Sequence, residues 1–503
     1  MLREADIVKL IFGLKIQQLR HEAGLSYTQL SDKSGLVISY LHGIEKGKKY
    51  PKADKIKALA SALDTDYAYL VSLEPNKKLK PIVDLLQSNF LKIFPLETFG
   101  ISTTKLLELL IQAPEKVNAF ISTVVKITRN FNMQGEDFYK AALRSYQDLH
   151  DNYFPKIEAA VHRFRSDHQI SAQLSLSVFT LEELLLDCFN IKVDRLYLSS
   201  EPSLKELRSV YIPEQKILYI GSGLSSGQER VLLAKEIGFQ VLKEKKRPFE
   251  TRMLEVDSFE KLLANFHASY FSVALLLSEE LMVDMIEKMR HWTHWQGQKL
   301  LDQLSILDVT AEMLIQRMAN IFPHHFGVKQ LFFMRFFTNS SMDKFIVTKE
   351  MHLSQLHDPH ANQLDEHYCR RWISINLIRR LKAEQGVHLS TGPIIGAQVS
   401  KYLNTPNAYF CISMAQPTWG NPENSSSLTI GLMMNDTLKE LFPFLEDPAI
   451  LTKDVHTTCE RCPIVDCGAR AVAPVFLQRK RQRAQIKKHL YMMRENLVLE
   501  KRN

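Results

Sequence analysis

A chain of 503 residues with 45% apolar and 24% charged residues has the make-up of a soluble protein of roughly two to four domains. No apolar run reaches membrane-spanning length and no secretory leader pattern is present, so a cytoplasmic location without a membrane partner is expected, and six cysteines in 503 residues do not suggest a disulfide scaffold. The net charge of +8 is uneven: residues 1–80 carry +5, residues 479–503 carry +7, and the stretch between them carries −4. Basic ends point to nucleic acid; the plainer alternative is solvated tails.

Five helices are expected in residues 1–74. Apolar periodicity runs from Ile7 to Ala23 and stops at Gly24, suited to a left-handed C-terminal position. Ser26 is placed to cap a second helix with Leu30 inward. Gly35 supplies the turn to a third, which ends at Glu45 and is closed by Gly47. "ADKIKALASAL" (53–63) reads as the fourth and Asp66 to Leu70 as the fifth. With Leu41 and Ile44 on the core side, helical phase turns Ser39, His42, Gly43 and Lys46 outward. Tyr27, Gln29 and Tyr40 lie around that surface, and Lys48 and Lys49 follow it.

This segment, and "ISYLHGIEKGKKYP" (38–51) above all, resembles the helix-turn-helix domain of the phage-repressor-like (XRE) family. The resemblance implies that the third helix enters the major groove of double-stranded DNA, with a homodimer on a two-fold operator. Ser39, His42, Gly43 and Lys46 would then face bases, and Tyr27, Gln29, Tyr40, Lys48 and Lys49 phosphates. Tyr27 stands where the family commonly has Gln. Gly43 costs about 1 kcal/mol in a helix relative to Ala, for which close approach to DNA is one compensation.

Residues 75–170 show helical periodicity punctuated by Pro81, Pro95, Pro114 and Pro155, and read as a helical spacer. Within 171–325, "KILYIGSGLSSGQERVLLAKEIGFQVLK" (216–243) reads as strand, loop and a helix from near Gln228; "LLANFHASYFSVALLLSEE" (262–280) is a second apolar helix. The pair resembles the ImmA/IrrE metallopeptidase core, whose H-E-x-x-H helix binds zinc. The resemblance puts Lys235 and Phe239 at the two histidine positions, keeps Glu236, and sets His267 near the third ligand's place. A protonated lysine repels Zn²⁺ and phenylalanine has no lone pair, so a degenerate zincin-like domain, a pseudo-peptidase, is expected. The basic loop "KEKKRPFE" (243–250) reads as a solvated turn, and His291 and His294 as ordinary surface or core histidines.

In residues 326–455 the runs "QLFFMRFFTN", "KFIVTKE", "AYFCISMAQ" and "SLTIGLMMND" read as strands of an antiparallel sheet, and "CRRWISINLIRRLKAE" (369–384) as a helix. Cys369 and Trp372, with the strands 409–416 and 428–436, resemble the GAF-like sensor domain of XRE regulators of short-chain fatty acid metabolism. That resemblance implies a small-molecule effector of the acyl-CoA type. Arg370, Arg371 and Trp372 are its candidate contacts; the alternative for the arginines is a solvated helix face. His352, His357, His360 and His367 are too irregularly spaced for a metal site.

"HTTCERCPIVDCGARAVAP" (456–474) brings three thiols into a short turn. Three readings stand: a structural zinc on His456, Cys459, Cys462 and Cys467, a redox pair, or packing of small apolar thiols. The C-x2-C-x4-C segment, with Arg470, Ala471 and Pro474, resembles the end of the same regulator family. The last segment reads as a basic helix. The fold class is therefore mainly α, with an α+β C-terminal part. The functional expectation is a non-enzymatic, sequence-specific transcriptional regulator. The alternative is an ImmA/IrrE-type metallopeptidase that cleaves a partner repressor.

Overall fold

The computed structural model describes residues 4–73, 135–173, 175–244, 246–250, 256–353, 366–385, 392–418 and 421–500. The spacer helices expected within 75–134, and His357 and His360, lie outside the described residues. Two compact units are present: residues 1–143 with 255–262, and residues 144–254 with 263–503.

In the first unit, helices α1 (Glu4–Glu22), α2 (Tyr27–Ser34), α3 (Ile38–Glu45), α4 (Ala53–Ala62) and α5 (Tyr67–Val71) follow the expected order. Ser26 caps α2 reciprocally: its Oγ accepts from the Gln29 amide, and Gln29 Oε1 accepts from the Ser26 amide. Gly35 ends α2 at φ +70°, a backbone state that L side chains rarely adopt. Phe12, Ile16, Leu30, Leu41, Ile44 and Leu59 make the core. α1 and α3 touch closely, because a Cβ at Gly13 would lie 2.3 Å from the Ile44 carbonyl oxygen. Lys15 is fully buried, yet its ammonium donates to the carbonyls of Tyr69 and Ser72, at 2.7 Å each, at the end of α5.

The second unit holds α6 (Gly135–Leu149) in part, α7 (Pro155–Asp167) and α8 (Val178–Phe189), then a small sheet of β1 (Lys192–Asp194), β2 (Ser209–Ile212) and β3 (Ile217–Ile220). β3 is central, parallel to β1 and antiparallel to β2. Next come α9 (Ser226–Val241), α10 (Phe259–Leu276), α11 (Glu279–Arg290), α12 (Gly297–Ile306) and α13 (Ala311–His325). α9 starts two residues before Gln228 because Ser225 forms a second capping box with that residue. A buried ion pair crosses this part: Arg317, with 0% exposure, donates to Glu158 at 2.5 and 2.9 Å and to the Leu277 carbonyl. The Tyr270 hydroxyl adds a third bond to Glu158 at 2.6 Å.

The six-stranded sheet runs β5-β4-β8-β7-β6-β9, from β4 (Leu331–Thr338), β5 (Ile346–His352), β6 (Ile394–Tyr402), β7 (Ala408–Thr418), β8 (Asn421–Met433) and β9 (Leu451–Val455). All pairs are antiparallel except β6 with β9. β6 and β9 were not anticipated; β9 is a short polar edge strand without apolar alternation. Helix α14 (Ile373–Gln385) packs on one face through Ile375, Ile378 and Leu381. α13 covers the other face: Arg335 of β4 pairs with Glu312 of α13, while its neighbour Phe336 packs on Trp372 just before α14. The chain ends in α15 (Val475–Glu500).

Candidate functional site

On α3 the side chains expected to face outward do so in part. Ser39 and His42 are exposed, as are Lys48 and Lys49 beyond its end, while Tyr40, Gly43 and Lys46 are half-buried. Val37 and Ile38 are also exposed, at 66% and 45%, and place apolar surface beside the polar residues. That feature had no sequence signal, since an apolar pair at a helix start reads as core. Tyr40 lies between two ammonium groups, with Lys55 Nζ 4.3 Å and Lys49 Nζ 5.1 Å from its ring centre. Lys55, on α4, was not anticipated. A Cβ at Gly43 would lie 3.2 Å from the exposed Lys49 side chain, and the Gly43 carbonyl accepts from the amides of Lys48 and Lys49.

Tyr27 requires a correction. Its hydroxyl donates to Glu45 at 2.6 Å and its ring lies under the Arg20 guanidinium at 4.1 Å. Arg20 in turn holds Glu45 bidentately at 2.7 and 3.0 Å. Burial and the bond to Glu45 push the Tyr27 phenol up to about 12. This side chain joins the start of α2 to the end of α3 and is not a free phosphate donor. Gln29 uses its carbonyl oxygen in the cap of α2, whereas a phosphate contact would use its Nε2 donor.

In the second unit, α9 carries Lys235, Glu236 and Phe239, all buried. Lys235 Nζ donates to Asn265 Oδ1 of α10 at 2.6 Å. Burial, with Lys349 and Arg247 nearby, pulls this ammonium down to about 7; Glu236 opposes the shift. Glu236 is held bidentately by Arg247 at 2.7 and 2.5 Å and by Gln240 at 2.8 Å. The Arg247 guanidinium also sits 4.0 Å from the Phe239 ring centre and 4.5 Å from that of Tyr211. The basic loop is thus no solvated turn. It lies against β2, with the Tyr211 amide bonding the Phe249 carbonyl, and delivers Arg247 to the glutamate.

His267 is corrected as well. Its ring faces Glu244 at 2.9 Å and the Tyr146 hydroxyl at 3.3 Å, and Asn265 occupies the position beside Lys235. An ammonium, a phenyl ring and a carboxamide offer no soft or anionic donor set for zinc. Both carboxylate oxygens of Glu236 are bonded to the Arg247 guanidinium.

Residues 11–70 match the helix-turn-helix domain family. They form a helix-turn-helix domain. Residues 187–318 match the IrrE N-terminal-like domain family, so the α9 site lies in an IrrE-like domain. Among solved structures, a Mycobacterium tuberculosis transcriptional regulator is similar over 65% of this chain and 92% of its own, at 16% identity and a TM-score of 0.45. No curated protein matches.

Beyond the IrrE-like domain, the candidate effector residues are placed differently from expectation. Trp372 is 3% exposed and belongs to the sheet core, packed on Phe336, Tyr368 and Tyr402. Arg370 is buried with its guanidinium 4.3 Å from the Phe345 ring centre, so it is neither on a helix nor solvated. Arg371 is half-exposed. α14 begins only at Ile373 because Cys369 to Trp372 form a turn, closed by the Trp372 amide on the Cys369 carbonyl.

The zinc reading of His456, Cys459, Cys462 and Cys467, one of three, finds no converged donor set: among the described residues, no three His, Cys, Asp or Glu side chains converge as a metal site. Cys459 and Cys462 are buried free thiols, Cys467 is half-buried, and burial pushes Cys462 upward. An arginine holds the turn where an ion was expected: Arg470 donates to the carbonyls of Cys459 and Ile464. The turn is tied to the segment before α14 by antiparallel bonds between Cys369 and Thr457 and between Cys459 and His367, and by Arg461 on Glu366.

Proposed function

We propose that this protein is a sequence-specific, DNA-binding transcriptional regulator acting in the cytoplasm. In this reading it is a homodimer on a two-fold operator, and its IrrE-like domain is a pseudo-peptidase. The observation that carries the reading is the surface of α3. Ser39 and His42 are exposed at a rim of lysines, while Arg20, Tyr27 and Glu45 lock α2 to α3 from behind. A rigid helix with polar tips among cations suits base contacts framed by phosphate contacts. Ile38 adds apolar surface of the kind that meets thymine methyl groups.

A metabolite effector, of the acyl-CoA type by resemblance, would shift DNA affinity by binding one of two conformational states more tightly. Arg371 is the remaining candidate contact in the sheet domain. The metallopeptidase alternative has the IrrE-like match behind it and lacks the donors on α9.

The test maps bound genomic sites, then measures binding to the recovered duplex across salt concentrations. Wild type is expected to show a steep negative slope of log affinity on log salt. Replacing Lys48 and Lys49 by Gln should flatten that slope by roughly 0.9 per lost phosphate contact. His42→Ala should cost about 1–3 kcal/mol at one base position while leaving non-specific binding intact. Indifference to duplex at low salt, together with chelator-sensitive cleavage of a polypeptide, would refute the reading.

A further inference from the structure

The last helix, α15, is anchored at its first turn, where the Phe476 amide donates to the Glu460 carbonyl and the Arg461 guanidinium sits 5.4 Å from the Phe476 ring centre. From Gln478 to Arg494 every side chain is exposed, over about 25 Å of helix at 1.5 Å per residue. Residues 475–494 contain seven lysines and arginines and neither aspartate nor glutamate. Three other helices of the chain pair their exposed cations along the helix. Lys140 with Glu136 on α6, Lys288 with Asp284 on α11 and Arg380 with Glu384 on α14 are all four residues apart. On α15 the same spacing sets Arg479 against Arg483 and Arg483 against Lys487. Like charges at this spacing destabilise a solvated helix by a few tenths of a kcal/mol per pair, about as much as opposite charges stabilise it.

Helical phase gathers this charge on one side. Arg479, Lys480, Arg483, Lys487 and Arg494 fall within an arc of about 100° and extend over about 22 Å of helix axis. The exposed apolar residues are spread round the helix, with Ile486, Leu490 and Met493 on one side and Tyr491 and Met492 on others. A lipid surface calls for a single apolar face, whereas a stripe of cations with no anions of its own fits a row of phosphates. We propose that α15 is a second, sequence-independent contact to duplex DNA, with the stripe from Arg479 to Arg494 on the phosphate backbone. This assignment rests on the DNA-binding reading of α3 and adds a grip that sets affinity and leaves site choice to α3.

The test uses the full chain, a random-sequence duplex and the duplex recovered from bound genomic sites, across salt concentrations. The variant carries Arg479→Gln, Arg483→Gln, Lys487→Gln and Arg494→Gln together. All four positions are exposed, so it should melt as wild type does. Its slope of log affinity on log salt should flatten by about 3.6, at roughly 0.9 per lost phosphate contact. The ratio of recovered-site to random-duplex affinity should stay as in wild type. Arg479→Lys, Arg483→Lys and Arg494→Lys together should keep the wild-type slope, because the charge is retained. Duplex should also slow hydrogen exchange of the amides of residues 478–494 in wild type and not in the glutamine variant. A wild type indifferent to duplex overturns the reading of α3 as well. A steep wild-type slope that the glutamine variant keeps overturns this assignment alone. Loss of binding to phosphatidylserine vesicles or to RNA, with the duplex slope unchanged, assigns α15 to that partner and overturns the duplex contact. Loss of the affinity ratio overturns its sequence independence.

Discussion

Replacing Lys235 by Met should stabilise the second unit near neutral pH, and the gain should shrink as pH rises. The folded-state ammonium is pulled from 10.5 to about 7, by burial first and then by Lys349 and Arg247, against Glu236. Between those values the unfolded chain carries a proton at this position and the folded chain does not. Stability of the wild type therefore rises with pH across that window, and the penalty is fully present below the folded value. The full shift corresponds to about 5 kcal/mol, of which roughly 3 kcal/mol falls between pH 7 and 9.5. The variant has no such titration. Urea unfolding of both proteins in a carboxylate-free buffer gives the difference directly. Tryptophan fluorescence is a selective probe, because Trp292, Trp295, Trp372 and Trp419 all lie outside residues 1–143 and 255–262. A wild-type-minus-variant difference that stays flat from pH 7 to 9.5 would refute the reasoning.

Arg247→Ala leaves Glu236 buried without its bidentate partner and should cost about 2–3 kcal/mol, below the range for a fully buried pair because Arg247 keeps some exposure. Faster limited proteolysis within residues 243–250 would accompany it, and an unchanged melting temperature would contradict it. Glu158→Gln should cost roughly 3–5 kcal/mol by orphaning Arg317, while adding Arg317→Met should recover most of that loss. A double-mutant cycle by urea titration measures both. Ser26→Ala removes the cap of α2 and should lower the stability of the helix-turn-helix domain by about 1 kcal/mol, read by hydrogen exchange of the α2 amides. Purified wild type should hold no stoichiometric zinc after dialysis against the metal; a bound equivalent lost on Lys235→Met would reverse the account of α9.

The local features of this chain were legible from its residues. Ser26 predicts its own cap, Gly35 its own turn, and the spacing of Leu41 and Ile44 the phase of α3, because each depends on neighbours within a few positions. The residues at the two histidine positions were equally plain: Phe239 has no lone pair, and Lys235 offers none while protonated. Partnership across space was not legible. Nothing in "KEKKRPFE" marks Arg247 as the partner of Glu236, and nothing marks Asn265 rather than His267 as the neighbour of Lys235. Tyr27 reads as a surface residue until α3 brings Glu45 to its hydroxyl. Arg470 reads as the flank of a metal knuckle until the turn closes on its guanidinium. Periodicity and capping are short-range and survive in the unfolded chain's sequence. The choice of which charge meets which is made only when burial removes water and leaves each buried ion to find a partner from elsewhere in the fold.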